Sequence, residues 1–124
     1  MTTHIDEKPA IQILATEDLT IAKYKAVTLN GTICQAANIK LVAGISKTSP
    51  GSGYNTQVIY AGITKAFMGA AVSTIGFPLK VANSGWIIPC NSGDTSIGRA
   101  LTTAASGDVS GLMLDVRNLG WFGG

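Results

Sequence analysis

The chain has 124 residues, of which 46% are hydrophobic and 13% are charged. This length predicts one domain with a core of its own. The net charge of +2 is small and the Lys and Arg residues are scattered, which argues against a nucleic-acid-binding protein. The low charge instead favours a surface that is partly covered by other subunits.

Nothing in the sequence predicts a secreted or membrane protein. The first eight residues are polar and mixed in charge, unlike a signal peptide. The most apolar window, Ala66 to Leu79, is shorter than the ~20 residues of a membrane-spanning helix and contains glycines and a proline. Cys34 and Cys90 could form a disulfide, but assembly inside a cell favours two buried thiols.

Residues 1–23 are predicted to form an extended N-terminal arm. They hold a large share of the charged side chains and one short apolar run that contains Ile11, Ile13 and Leu14. Two interpretations stay open: a frayed terminus, or an arm that lies along a neighbouring subunit with its apolar side chains in alternate pockets. Deletion of residues 1–19 is then expected to leave the rest folded.

Residues 24–117 are predicted to form a small all-β module, resembling a β-sandwich or barrel. Val27 to Ile33 alternates like a half-buried strand, although Asn30-Gly31 could instead form a hairpin turn. Ile39 to Ser46 reads as a second strand. Val58 to Met68 is the longest candidate and carries apolar residues at both odd and even positions, as expected when both faces of a strand are covered.

The C-terminal part of the module predicts hairpins. Leu79 to Val81 and Trp86 to Ile88 flank the turn signal Asn83-Ser84-Gly85. Two Gly-Asp pairs, ending at Asp94 and Asp108, predict turns in which the carboxylate accepts backbone hydrogen bonds.

Residues 118–124 form a Gly and aromatic tail that contains Trp121 and Phe122. These two aromatic side chains need a receiving surface, because exposing them to water is costly. The surface could belong to the same subunit, as a plug, or to a neighbour, as a peg.

Residues that could carry catalysis or bind a metal are sparse. His4 is the only histidine, so a catalytic triad would require the terminus to be fixed in the core. No set of metal ligands converges in the sequence, and no cofactor motif is recognised. Arg99 lies beside Ile97 and Leu101. Because a buried arginine is costly unless paired, we expect a carboxylate or several carbonyl groups within its reach, either an aspartate inside the subunit or a partner across an interface.

The order of glycines, alanines and apolar residues from Val58 to Val116 resembles the small capsid decoration (cement) proteins of tailed bacteriophages. The segments that carry the resemblance are Val58–Ile63, Gly69–Val72, Pro78–Val81, Gly85–Ile87, Gly93–Leu101 and Gly107-Asp108. The resemblance implies a β-rich module that trimerises on the outer surface of the head and clamps adjacent major capsid subunits. It implies no catalytic residue and no cofactor.

We therefore expect a non-enzymatic virion protein, assembled in the host cytoplasm, with the major capsid protein as its partner. The candidate interface residues are Ile11, Ile13, Leu14, Arg99, Trp121 and Phe122. The alternatives are a phage tail or fibre component, and a carbohydrate- or host-binding β module that uses exposed Tyr54, Trp86 and Trp121. A hydrolase is disfavoured by the isolated histidine.

Overall fold

The computed structural model describes residues 10–116 and 120–122, with the backbone alone for Asn38 and for residues 120–122. The described residues form β-strands, two short 3-10 helices and turns, which confirms the all-β prediction. Within these ranges no helix has the length and apolar character needed to cross a bilayer.

The first of two main sheets comes from the N-terminal half. Its strands are β1 (Ala10–Leu14), β2 (Ala26–Thr28), β3 (Val42–Ser46) and β4 (Asn55–Ile59), in the spatial order β1-β4-β3-β2. All neighbouring pairs are antiparallel. A 3-10 helix, Ala36–Leu41, leads into β3, so the strand predicted from Ile39 begins three residues later than expected.

The second sheet has five antiparallel strands from the C-terminal half. They are β5 (Ala61–Phe67), β6 (Pro78–Val81), β7 (Ile87–Pro89), β9 (Gly98–Ala100) and β10 (Val109–Asp115), in the order β5-β10-β9-β6-β7. A separate ladder pairs β8 (Asp94–Ser96) with β11 (Gly120–Phe122). The predicted hairpin is confirmed, since β6 pairs with β7 around the 3-10 segment Asn83–Gly85.

The main core lies between the two sheets. It takes buried side chains from the first sheet, such as Ile45 and Ile59, and from the second, such as Leu79, Leu112 and Leu114. The alternation in the strands produces this arrangement, because every second side chain of a strand points to the same face. The two sheets therefore pack face to face as a small sandwich.

A second core covers the outer face of the first sheet. It contains side chains from the strands and from the segment that follows β1: Ile13, Ala15, Leu19, Ala22, Val27, Ala43 and Val58. Leu19 and Ala22 are completely buried. Both faces of the first sheet are thus covered, and all five residues of β3 are buried.

This packing changes the interpretation of the predicted arm. Strand β1 pairs with β4 over five residues, and the segment that follows it packs on the first sheet. Residues 10–23 are therefore built into the sandwich, because their apolar side chains complete its second core. Residues 1–9 of the arm lie outside the described residues.

One residue divides the long predicted strand Val58 to Met68. Tyr60 lies between β4 of the first sheet and β5 of the second. Gly62, two residues later, has a φ of +90°, a left-handed conformation that glycine adopts without steric cost. The chain thus passes from one sheet to the other within a single apolar run, which periodicity could not indicate.

At Asn30-Gly31 the chain forms a turn, not a continuous strand. Gly31 has a φ of +82°, and its N–H donates to the Thr28 carbonyl at 3.1 Å. The Thr28 N–H in turn donates to the Thr32 carbonyl at 2.8 Å. The chain reverses here directly after β2.

Candidate protein-binding surface

The outer face of the second sheet carries exposed apolar side chains. Met113 lies opposite Ile63 on β5 and opposite Arg99 on β9. Ile63 is 71% exposed and Met113 is 52% exposed. Val109, on the same face of β10, is 44% exposed, while the alternate residues Leu112 and Leu114 are buried in the core.

We call Ile63, Lys65, Arg99, Val109 and Met113 the outer face. Its side chains are fixed by the strand register, since successive residues of a strand point to opposite sides of the sheet. Among the described residues, no segment covers this face as residues 15–22 cover the first sheet. An exposed apolar patch with cations beside it is typical of a surface that binds another protein.

Arg99, one of the candidate interface residues, belongs to this face. Its side chain is exposed, and it donates a hydrogen bond to the Gly76 carbonyl at 3.1 Å. Gly98 and Ala100 occupy the core-facing positions of β9, so alternation turns Arg99 outward. Its guanidinium is therefore available to a partner.

A groove of about 490 Å³ adjoins the outer face along β5. Its walls combine apolar, hydroxyl and lysine side chains around one glycine: Tyr24, Lys47, Ile59, Ile63, Thr64, Lys65, Val109 and Gly111. Gly111 leaves space there because it has no side chain, and a Cβ at this position would meet only Leu101 atoms, at 3.9 Å. The lining includes two lysines and no carboxylate.

The three candidate interface residues of β1 do not share one environment. Ile13 is 9% exposed and belongs to the second core, whereas Ile11 and Leu14 are 40% and 54% exposed. Strand β1 is an edge strand of the first sheet, so Ile11 and Leu14 are accessible there. Ile13 serves the subunit's own packing.

The backbone of Trp121 and Phe122 is part of the described structure. These residues form β11 and pair with Thr95 and Asp94 of β8. Their side chains lie outside what the structure describes, so the plug and the peg both stay predictions. The backbone of residues 120–122 pairs with β8.

The aromatic side chains proposed for sugar binding have different surroundings. Trp86 packs against Phe67 with ring centroids 5.2 Å apart, and the Lys25 ammonium lies 5.7 Å from the centre of a Trp86 ring. Tyr54 is 71% exposed in the loop before β4. The Trp86 ring is thus engaged by a cation and an aromatic of its own subunit.

Asp94 and Asp108 stabilise turns, as the sequence predicts. The Asp94 carboxylate accepts hydrogen bonds from the Asn91 N–H and the Lys80 ammonium, both at 2.7 Å. These contacts, the lysine first, hold the pKa of Asp94 below its ordinary value. The Asp108 carboxylate accepts from the Ala105 N–H at 3.0 Å.

The cysteines are buried thiols that show no sign of activation. Burial raises the pKa of Cys34 to about 11. Burial is also the main cause that raises the pKa of Cys90. A thiol in this state is a poor nucleophile at neutral pH. Within residues 10–116 and 120–122, no group of His, Cys, Asp or Glu side chains could hold a metal ion.

The sequence matches no protein-family model and no curated protein. The fold does have a neighbour among solved structures, the crystal structure of the head fiber gp8.5 N base in bacteriophage phi29. The likeness has a TM-score of 0.65 at 16% sequence identity, over 86% of this chain and 93% of that chain. The chain has the fold of a phage head fiber base. This agrees with the resemblance to phage head proteins drawn from the sequence.

The outer face was only partly visible in the sequence. Apolar residues at both odd and even positions of Val58 to Met68 predict two covered faces, and this is confirmed for Val58 and Ile59 of β4. On β5 the outward Ile63 has no cover among the described residues. Apolar residues at both odd and even positions of a strand are the signal that could have indicated a partner surface.

Proposed function

We propose that this protein is a structural component of a bacteriophage head that binds the outer capsid surface. The observation that carries the proposal is the exposed apolar row of Ile63 and Met113, extended by Arg99, on a sheet whose other face forms the core. The fold likeness to a head fiber base supports the phage assignment. The low content of charged residues also supports a surface made for protein contacts.

In the proposed arrangement, the outer face rests on the major capsid protein and links adjacent capsid subunits. Ile63, Val109 and Met113 would supply the apolar centre of the contact, and Arg99 would bind a carboxylate or carbonyl of the capsid. Several copies, as a trimer, would each contribute one such face. No catalytic step is part of this function.

The capsid contact can be tested by co-sedimentation with empty heads. The double variant Ile63→Ser/Met113→Ser removes apolar area from the outer face at two exposed positions, so its circular dichroism should match that of the wild type. We expect its binding to heads to fall about tenfold or more, since each central apolar contact of an interface can contribute 1 kcal/mol or more.

A matched control is Leu29→Ser, because Leu29 is 58% exposed but follows β2 of the first sheet. This variant should sediment with heads like the wild type. If Ile63→Ser/Met113→Ser binds heads as well as the wild type does, the outer face is not the capsid contact.

A second candidate function is the base of a head fiber. The fold likeness to such a base, over 93% of that chain, favours it specifically. The number of copies bound per head separates the two functions. A decoration protein saturates repeated sites over the whole shell, whereas a fiber base occupies the smaller set of positions that carry fibers.

A further inference from the structure

Strand β5 has one open side. It is the last strand of the second sheet and pairs there with β10. At either end of this pairing, the Val116 N–H donates to the Tyr60 carbonyl at 3.0 Å and the Met68 N–H donates to the Asp108 carbonyl at 2.8 Å. Because the direction of the backbone groups alternates along a strand, those of Ile63 and Lys65 point away from β10.

The groove described above runs along this open side, which ends at a paired residue in each direction. At one end Ile59 pairs with Ile45 of β3, and at the other the Phe67 N–H donates to the Tyr24 carbonyl at 2.8 Å. Between these two points no described strand pairs with β5 on this side. The five residues from Ala61 to Lys65 span about 16 Å, so the groove accepts a short extended segment.

Positive charge collects at the groove. Its lining holds two lysines and no carboxylate. Two more lysines lie over aromatic rings at one end of it. The Lys23 ammonium is 5.3 Å from the centre of the Tyr24 ring, and the Lys25 ammonium is 5.2 Å from the centre of the Phe67 ring. Charges of one sign gathered in this way favour a partner with negative charge.

The nearest part of the second sheet does not neutralise these lysines. Asp115 is the carboxylate that β10 carries, and it lies opposite Ala61, outside the groove lining. A second copy of β5 is a poor occupant, because it would bring the same lysines toward each other. Lysine on an edge strand discourages such pairing between like edges.

The other properties of the groove favour a polypeptide as the acidic partner. The outward backbone groups of Ile63 and Lys65 match those of an added strand. Ile63 and Val109 provide apolar surface beside this edge. A nucleic acid would contact the lysines but would leave the strand edge and the apolar side chains without a counterpart.

We propose that the capsid protein contributes an extended acidic segment that adds a strand to the open side of β5. Carboxylates of this segment lie beside Lys47 and Lys65, and an apolar side chain of the segment packs on Ile63. The inference rests on the proposed function and names the chemistry of its partner. The outer face and the groove then bind one capsid surface together.

Charge reversal tests the acidic character of the partner. Lys47 is exposed and lines the groove but is not part of the outer face. Binding of Lys47→Glu to empty heads should therefore fall about fivefold or more, since the new carboxylate faces the acidic segment. Lys40→Glu is the matched control, because it makes the same change at an exposed lysine outside the groove lining. It should sediment with heads like the wild type.

Nuclease treatment of the heads identifies the class of the acidic partner. The difference between Lys47→Glu and Lys40→Glu should persist after treatment. A difference that disappears would show that the lysines bind a nucleic acid, which would overturn the proposal.

Hydrogen–deuterium exchange at single-residue resolution tests the added strand. The amides of Ile63 and Lys65 should exchange about tenfold or more slowly on heads than in the free protein, because the added strand engages them. The Thr64 amide, which faces β10, is the internal control and should exchange slowly in both states.

The outcomes separate this inference from the proposed function. If Ile63→Ser/Met113→Ser binds heads like the wild type, the outer face is not the capsid contact and both proposals fail. If that variant loses binding while Lys47→Glu keeps it, the outer face binds the capsid but the acidic segment is overturned. Equal exchange of the Ile63 and Lys65 amides in the free and bound protein would overturn the added strand in the same way.

Discussion

The two sheets of the sandwich share one core but differ in what lies over their outer faces. The first sheet is covered by the segment that follows β1, through Leu19 and Ala22. On the second sheet, Ile63 and Met113 are more than half exposed. The strands of both sheets are built from similar residues, so the difference comes from the connecting segments.

This difference separates residues that stabilise the fold from residues that are available to partners. An apolar side chain over the first sheet contributes to the free energy of unfolding, because folding removes it from water. The same kind of side chain on the outer face contributes little until a partner covers it. Two predictions test this separation, and a third compares the polar contacts of the two sheets.

The largest effect is expected from deletion of residues 1–19. The deletion removes β1 from β4 and takes Ile13, Ala15 and Leu19 from the second core. Because a domain is stable by only about 5–15 kcal/mol, we expect the truncated protein to lose cooperative thermal unfolding. Deletion of residues 1–9 is the control and should leave a cooperative transition. A truncation at residue 19 that melts like the wild type would show that the covering segment is dispensable.

Single substitutions make the same comparison on a smaller scale. Leu19→Ala removes a completely buried side chain and should destabilise the protein by about 2–5 kcal/mol. Met113→Ala changes a side chain that is 52% exposed and should change the stability by about 0.5 kcal/mol or less. Denaturant unfolding measures both values. Equal losses would mean that the outer face already packs against something in the isolated protein.

The smallest effect concerns acid. Lys80 and Asp94 form an ion pair between β6 of the second sheet and β8, and this contact holds the pKa of Asp94 below its ordinary value of 3.8. Because the folded pKa is the lower one, the stabilisation is present above the unfolded pKa and is lost as the pH falls through the folded pKa. NMR titration of the Asp94 carboxyl group should show the low pKa in the wild type and a higher one in Lys80→Gln.

The first sheet provides the contrast for this titration. Its buried polar contact joins the hydroxyl groups of Ser46 and Thr56 at 2.6 Å, and hydroxyl groups do not titrate in this range. Amides of β3 and β4 should therefore keep their chemical shifts while those around Asp94 move. Equal shifts in both regions would indicate a global acid transition instead of a local one.

Local chemistry explains which parts of the fold could be predicted from the sequence. The Gly-Asp turns at Asp94 and Asp108, and the hairpin around Asn83–Gly85, depend on residues close together in the chain. The strand β10 also follows its own alternation, with Leu112 and Leu114 inward. Each of these features needs no knowledge of distant residues.

The features that the sequence missed depend on distant contacts. In the sequence, residues 15–22 look like part of a polar terminus. Their role becomes clear only in the folded protein, where Leu19 and Ala22 cover the first sheet. The change of sheet at Tyr60 depends on β10 and β1 as partners. Arg99 was a candidate interface residue with its partner left open, because its outward direction depends on where β8 ends, at Ser96, and where β9 begins, at Gly98.

The single residue between β4 and β5 has a mechanical consequence. With only Tyr60 as a connection, the two sheets have no flexible linker that could lengthen under tension. A force that pulls on the first sheet reaches the hydrogen bonds between β5 and β10 directly through the backbone. Under load the molecule should therefore unfold in one step, without first separating into two sheets.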